Sequence, residues 1–369
     1  MVAAPHTRAV VLHTEASRGF GGQEIRILTE SRWLADHGWR PILAVQPGSR
    51  LLAEAERAGL PAVAVRMRHP LDLPAVRALR RLVAGERVAL VHTHSSVDAW
   101  LGGFAARRAG VPVVRSRHVT IAVPRRRALV YRLADRVVTS GAAVAAVLAR
   151  AGVSGAKLVP IAPGVDTRRF HPGVSGAGVR AELGLGQAPL VGLVANIRGS
   201  KGHDYFLAAA GEVLRAEPAA RFVIVGDGVG FDDVRRRVTE LGLERAVTMT
   251  GFRRDIPEVL ASLDVLTLPS IRSEATSQVL LQALAVGTPV IASTVGGSGE
   301  VVRDGETGRL VPPADAPALA HAILGLLRDR ERARAMARRG QALVSERYSL
   351  DASMEQLTTV YAELLAARA

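Results

Sequence analysis

Along the chain, short apolar runs alternate with stretches whose apolar residues recur every three to four positions. The runs fall at residues 8–13, 41–45, 61–65, 89–93, 113–118, 134–140 and 158–161, then at 190–195, 222–225, 247–250, 265–268 and 289–292. Each is bounded by Gly, Pro or polar residues, as strands buried on both faces are. Helical spacing predicts helices over residues 24–37, 51–58, 73–84, 142–151, 203–214 and 276–286, and closing helices over 316–327, 328–344 and 348–367. Alternation of this kind builds parallel sheets covered by helices on both sides, an α/β class of fold.

At 369 residues the chain exceeds one such sheet and suits two domains of roughly 170 residues each. Residues 172–189, rich in Gly and Ser, read as the joint between them. The expected organisation is a doubly wound Rossmann-like domain over residues 1–165, a linker over 166–188, a second Rossmann-like domain over 189–345 and a last helix over 346–369.

The most informative stretch is residues 264–313, which form one βαβ unit: an apolar strand, a polar loop, a helix closed by Gly287, and a second strand from Pro289. Open α/β sheets bind ligands at the C-terminal ends of their strands, where this loop lies. Free amides at the helix start (Thr276, Ser277, Gln278) favour an anion, most simply a phosphate. Glu274, just before them, would repel a phosphate unless it holds hydroxyls instead. A ligand with both phosphates and a polyol, a nucleotide sugar, meets both demands.

Other strand-end loops add candidates. The first strand is followed by a loop containing Gly19, Gly21 and Gly22, which do not give the dinucleotide pattern G-x-G-x-x-G. The strand at 190–195 leads into Asn196, Ile197, Arg198, Gly199, Ser200, Lys201 and Gly202, a basic glycine loop before a helix. Its cations could neutralise a leaving diphosphate, although the spacing is not that of a Walker loop. Gly226 and the trio Gly251, Phe252 and Arg253 close two further strands. His92 and His94 end another and are expected on opposite faces, unable to share one metal, with His94 nearer the ligand. His118 ends the next.

In order and spacing, the blocks of the second half resemble the signature of the retaining glycosyltransferases of family 4, which have the GT-B fold: two doubly wound Rossmann-like domains facing across a cleft. In that family Glu-x7-Glu is followed by an Ala-rich helix, Gly-x-Pro-Val, Gly-Gly-x-x-Glu and Asp-Gly-x-x-Gly. Here these are Glu274 to Gln282, Gly287 to Val290, Gly296 to Glu300 and Asp304 to Gly308. The second Glu is thus Gln282, at the position the resemblance gives to the ribose hydroxyls; Gln can still donate and accept there. Pro163, Gly164, Val165 and Asp166, with Phe170 and Pro172, are similar to the family's hinge motif, with Pro163 where Asn is usual.

The resemblance implies a UDP-sugar or GDP-sugar donor on the second domain and a hydroxyl acceptor on the first. Glu274 would orient the sugar, and Lys201, Arg198, Thr276 and Ser277 would face the diphosphate. Gly21 and Gly22 would approach the donor phosphates from the first domain, and His118 would contact the sugar near the reacting carbon. Asn196 stands where the family has Arg, five residues before Lys201; with Gly226, Gly251, Phe252 and Arg253 it completes the nucleotide loops. Retention of configuration follows from the same resemblance, as does a last helix that crosses back to the first domain.

Composition narrows the chemistry further. The absence of cysteine excludes disulfides, thiolate zinc sites and cysteine nucleophiles. No Asp-x-Asp occurs, so no metal or other cofactor is expected beside the cationic residues. Residues 1–7 lack the apolar core of a signal peptide, and no run approaches the ~20 apolar residues of a membrane span, so the expectation is a cytoplasmic protein, peripheral on the inner face of the membrane.

The net charge of +14 is unevenly placed: residues 1–160 hold 24 Lys+Arg against 10 Asp+Glu, and residues 161–369 hold 24 of each. A basic first half predicts an anionic partner, either a phosphorylated glycolipid or lipopolysaccharide precursor as acceptor, or an acidic membrane surface. The helix at 73–84, with Arg77, Arg80 and Arg81, and the loop at Arg125, Arg126 and Arg127 are its candidate contacts. Aromatics make up only 4% and are sparse near these clusters, which disfavours nucleic acid. The rivals are a nucleotide-sugar epimerase or phosphorylase on the same scaffold and a non-catalytic anion or nucleic-acid binder.

Overall fold

The computed structural model describes residues 9–368; the expected strand start at Arg8 and the leader reading of residues 1–7 lie outside them. The chain forms two compact units: Met1–Ala162 with Met354–Ala369, and Pro163–Ser353.

In the first unit the strands are β1 (Val10–Glu15), β2 (Arg40–Val45), β3 (Ala62–Ala64), β4 (Leu90–Thr93), β5 (Val113–Arg117), β6 (Arg136–Thr139) and β7 (Leu158–Pro160). They make one parallel sheet in the order β3-β2-β1-β4-β5-β6-β7. The second unit holds β8 (Leu190–Val194), β9 (Arg221–Val225), β10 (Val247–Gly251), β11 (Val265–Leu268), β12 (Val290–Ser293) and β13 (Arg309–Val311). Their order, β10-β9-β8-β11-β12-β13, is again parallel throughout. Both sheets run outward in two directions from a central pair, β1 beside β4 and β8 beside β11. Crossovers to opposite faces diverge at those pairs and leave a crevice at the strands' C-terminal ends.

Strand alternation builds the cores on either face. Val191, Leu193, Phe222, Ile224, Val265 and Ile291 turn to one side of the second sheet, against the helices His203–Ala216 and Ala316–Arg328. Leu190, Val194, Val223, Leu266, Leu268 and Val290 turn to the other, against Gln278–Val286. Both faces are therefore dry, and the apolar runs are continuous for that reason.

The expected linker at 166–188 folds into the second unit. Phe170 and Val179 are buried in its core, and Ala177–Glu182 is a helix. Arg180 in that helix pairs with Asp264 at 2.7 Å and donates to the carbonyls of Ser262 and Ala188. Gly176 allows the approach, since a Cβ there would stand 2.2 Å from the Ser262 nitrogen.

The expected loop at Arg125–Arg127 is one helical turn, Arg125–Ala128, running into Leu129–Leu133, where Val130 and Tyr131 are buried. The last helix is Leu350–Ala366, and from Met354 onward it belongs to the first unit. There the fully buried Tyr361 stands edge-on to Trp39, and its hydroxyl meets His92 Nδ1 at 2.5 Å. No helix among the described residues is long and apolar enough to cross a membrane.

Candidate functional site

In the second unit, the loops that follow the central strands β8 and β11 are tied together. Ile271 N donates to Ser200 O at 2.9 Å, and Gly202 lies so close to the other loop that a Cβ would stand 1.9 Å from the Pro269 oxygen. Across this junction Lys201 Nζ pairs with Glu274 Oε2 at 2.6 Å. Ser270 Oγ donates to the same carboxylate oxygen at 2.6 Å, and Ser293 Oγ donates to Ser270 O. Both charged side chains are largely enclosed, at 12% and 8% exposure, so the pair sits where its field is weakly screened.

The two glycines of the Gly-Gly-x-x-Glu block fix the Glu274 backbone. Gly297 N donates to Glu274 O at 3.0 Å, while Gly296, at φ +58°, leaves no room for a Cβ beside that oxygen. The Glu of the block, Glu300, accepts from Thr276 Oγ1 at 3.2 Å. The helix itself begins at Gln278, after Ser277, whose side chain makes no capping bond. The N-cap side chain therefore leaves the first helix amides uncapped at the turn next to Glu274. Gln282 is half-buried one turn further on.

The remaining second-unit candidates divide. Gly226 and Gly228 let the β9 loop pass against Ala195 O and Ile197 O, and Gly228 also lies against Asn196 Oδ1, so Asn196 stands beside that loop. Gly226 N also donates to Gly251 O at 2.9 Å, which draws in the end of β10. Arg198 is exposed. Arg253 is engaged elsewhere: it forks onto Glu182 at 2.5 and 2.8 Å and onto Asp255 at 2.9 and 2.5 Å, bonds that raise its pKa further. Phe252 is half-buried beneath the Arg254 guanidinium.

In the first unit, β1, β4 and β5 deliver four histidines to one place. His13 Nδ1 lies 3.0 Å from His94 Nε2, and His94 Nδ1 lies 3.3 Å from His118 Nε2. His92 meets Tyr361 through Nδ1 and Ser116 Oγ through Nε2, at 2.8 Å for the latter. His92 and His94 are stacked, with centroids 4.3 Å apart. The expectation that they face opposite ways is therefore corrected: side chains alternate with period two along a strand, so residues two apart share a face.

The nitrogens of His13, His92 and His94 come within 4.8 Å of one another, the distance range of a metal site. Their arrangement is nonetheless that of hydrogen bonding. The His13–His94 and His94–His118 centroids stand 5.3 and 5.6 Å apart, with planes only 16° and 18° from parallel. These are rings whose nitrogens face each other along the line of centres; imidazoles converging on one metal at about 2.0–2.1 Å would meet at an angle. Burial lowers the pKa of His13 to about 3 and takes His92, His94 and His118 well below the usual histidine value; nearby Arg26 adds to the shift of the last three. All four rings are neutral at pH 7.

Beside them lies the glycine loop. Gly21 N donates to Glu24 Oε2 at 2.8 Å, and Gly22 opens the helix Gly22–Asp36. Glu15, at the end of β1, accepts from Ser17 N at 2.7 Å and from the Gln23 side chain. Sequence reading missed Glu15, Ser270 and His13. Ser270 carried a signal, since it is the first polar residue beyond the β11 run; His13 read only as strand, and Glu15 fell between the expected strand at 8–13 and the glycine loop.

Comparison with known proteins gives these features a family. Residues 188–329 match the family described as glycosyl transferases group 1, and residues 20–169 match glycosyltransferase family 4. The chain is 33% identical over 309 residues to a D-inositol 3-phosphate glycosyltransferase of Segniliparus rotundus, covering 77% of this chain and 68% of that protein. It is 35% identical over 190 residues to an alpha-D-kanosaminyltransferase of Streptomyces kanamyceticus, spanning 51% of this chain and about half, 49%, of that one. The fold matches that of Anabaena HepE solved with UDP-glucose, at a TM-score of 0.87 and 22% identity over 96% of this chain and 99% of that one. On this footing the chain belongs to glycosyltransferase family 4, with the two Rossmann-like domains of the GT-B fold.

Proposed function

We propose that the protein transfers a sugar from a nucleoside-diphosphate sugar to a hydroxyl of an anionic acceptor, with retention of configuration and without a metal. The observation that carries this reading is the enclosed Lys201–Glu274 pair at the β8–β11 crevice, next to a helix start that has no side-chain cap. Without donor the two charges neutralise each other. A bound donor offers each a better partner: its diphosphate takes the ammonium of Lys201 and the amides after Ser277, and its sugar hydroxyls take the carboxylate of Glu274.

As the bond between the anomeric carbon and the phosphate oxygen breaks, negative charge gathers on the diphosphate. Lys201 stabilises it, with Arg198 at the loop's exposed edge, in the role a metal fills elsewhere. The acceptor oxygen bonds to the anomeric carbon on the face the diphosphate leaves. Its proton passes to the departing phosphate, so the chain need supply no base. His118 meets the sugar near the reacting carbon.

UDP and GDP both stand as the nucleotide of the donor, and the HepE structure, which holds UDP-glucose, supports the first. A phosphorylated polyol or glycolipid acceptor is supported by the basic first half and by the inositol phosphate named for the Segniliparus relative. A glycolipid acceptor would bring the protein to the inner surface of the membrane.

The test is a matrix of UDP- and GDP-sugars against phosphorylated polyols and glycolipids, read as nucleoside diphosphate released and glycoside formed. Lys201→Ala and Glu274→Ala should each lower kcat by about 100-fold or more while the far-ultraviolet spectrum stays unchanged. Full turnover in both variants would overturn the site assignment.

A further inference from the structure

We infer that His13 and His94 are positioning residues: they form a hydrogen-bonded imidazole chain that fixes the tautomer of His118, so that its Nδ1 carries the proton and acts as donor toward the sugar. The inference rests on the reading of His118 as a substrate contact.

The argument is an accounting of protons. The chain runs His13 Nε2, His13 Nδ1, His94 Nε2, His94 Nδ1, His118 Nε2, and both inter-ring contacts, at 3.0 and 3.3 Å, are collinear with the rings. Three neutral imidazoles hold three protons. Two must lie in the two contacts, one in each, because two lone pairs or two N–H groups facing each other repel. His94 has one proton and sits in both contacts, so the direction of one bond sets the direction of the other. Only two arrangements of neutral rings remain.

In the first, His13 Nδ1–H donates to His94, His94 Nδ1–H donates to His118 Nε2, and the third proton is on His118 Nδ1. In the second every proton is on Nε2, which leaves His118 Nδ1 a bare acceptor. The far end of the chain decides between them. His13 Nε2 is buried, with no hydrogen-bond partner among the described residues. The second arrangement would bury an N–H there without an acceptor, whereas the first leaves only a lone pair unused. An orphaned donor is the rarer and costlier state. The first arrangement is therefore the stable one, and a ring some 100 residues upstream of His118 sets what His118 can offer.

The anchors agree. His94 is held by its own backbone, whose N–H donates to Asp98 Oδ2 at 2.8 Å, and His13 is locked within the central strand of the sheet. His92 stands apart from the chain: its Nδ1 meets the Tyr361 hydroxyl and its Nε2 meets Ser116 Oγ, so both of its nitrogens are engaged outside the three-ring chain.

The test uses the full chain labelled with 15N-histidine, with long-range proton–nitrogen correlation at pH 7 and no substrate. His118 is assigned by the signals lost in His118→Gln. The expected result is protonation of His118 at Nδ1. His94→Asn, whose amide nitrogen stands near the lost Nδ1, should keep that tautomer, and His94→Asp, which turns an acceptor oxygen toward His118 Nε2, should draw the proton to Nε2. Protonation at Nε2 in the unaltered protein overturns the inference, even if the variants fail to fold; so does an unmoved tautomer in His94→Asp.

Transfer kinetics add the functional arm: kcat should fall about tenfold in His94→Asp, with partial recovery in His94→Asn and a smaller change in KM for the donor. Equal kcat in all three overturns the positioning role. Since the spectrum is read without substrate, failure to find any donor would count against the transferase reading and not against the chain.

Discussion

Glu15 ends β1 with both oxygens turned inward, one accepting from Ser17 N at 2.7 Å and the other from the Gln23 side chain. Burial raises its pKa to about 8; the charges of Asp98 and Glu24 add to the shift, and the Ser17 and Gln23 bonds oppose it. In the unfolded chain the same carboxyl titrates at about 4.3. Between those values the folded chain holds a proton that the unfolded chain has released, so the contribution of Glu15 to stability falls as pH rises through the window and is level above it. Glu15→Gln keeps a neutral, similarly shaped group at every pH. The variant should gain on the unaltered protein from pH 5 to pH 9, by on the order of 1–3 kcal/mol in unfolding free energy. Denaturant titrations at pH 5, 7 and 9 read this directly, and a difference that does not change with pH would mean that Glu15 is ionised in the fold.

At the scale of elements, the candidate site depends on how closely the loops after β8 and β11 approach. Gly202 has φ +76°, and its missing Cβ would overlap Pro269 O. In Gly202→Ala the left-handed backbone alone costs about 1–2 kcal/mol, and the overlap must push the loops apart, separating Lys201 from Glu274. Gly242 has a similar φ of +66° with nothing within 4 Å of a Cβ, so Gly242→Ala carries the conformational cost without the collision. Thermal unfolding should show a drop of about 2–8 °C for Gly242→Ala and a larger one for Gly202→Ala, and only the latter should lose transfer. Equal behaviour of the two would remove the close approach from the explanation.

The same scale explains what could be read in advance. The inner strands were legible because both faces are dry, and Lys201, Glu274, Gly296 and Gly297 were legible because their spacing is local. The helix Ser96–Arg108 was not, since its buried face is Ala99, Leu101, Gly102, Gly103, Ala105 and Ala106, small residues with little helical period. Phe231–Glu240 buries only Val234 and Val238 amid charge, and the stretch at 166–188 hides Phe170 and Val179 among glycines and serines. The histidine chain could not be read at all: its links join residues 81 and 24 positions apart, a relation set by which strands lie side by side.

The whole molecule carries its excess of +14 in residues 1–160, and the structure shows where part of it gathers. Arg77, Arg80, Arg81 and Ala84 of the helix Leu73–Gly85 line one open depression, with Arg87 and Val88 from just beyond the helix. At its start Leu71 and Leu73 are 73% and 61% exposed, an arrangement of apolar residues beside cations that fits a charged lipid surface better than a small soluble anion. Each Arg near an anionic bilayer is worth about 1 kcal/mol, so replacing Arg77, Arg80 and Arg81 together by Gln should weaken sedimentation with phosphatidylglycerol vesicles by about 100-fold. Neutralising Arg125, Arg126 and Arg127 tests the second cluster the same way. Binding of the unaltered protein should weaken as salt rises toward 0.5 M, where the screening length is shorter, and neutral phosphatidylcholine vesicles should bind weakly at any salt. If both triple variants bind acidic vesicles as the unaltered protein does, these arginines are solvated surface. Any vesicle binding then runs through other residues, and Arg77, Arg80, Arg81 and Arg125, Arg126 and Arg127 drop out of the account of the acceptor.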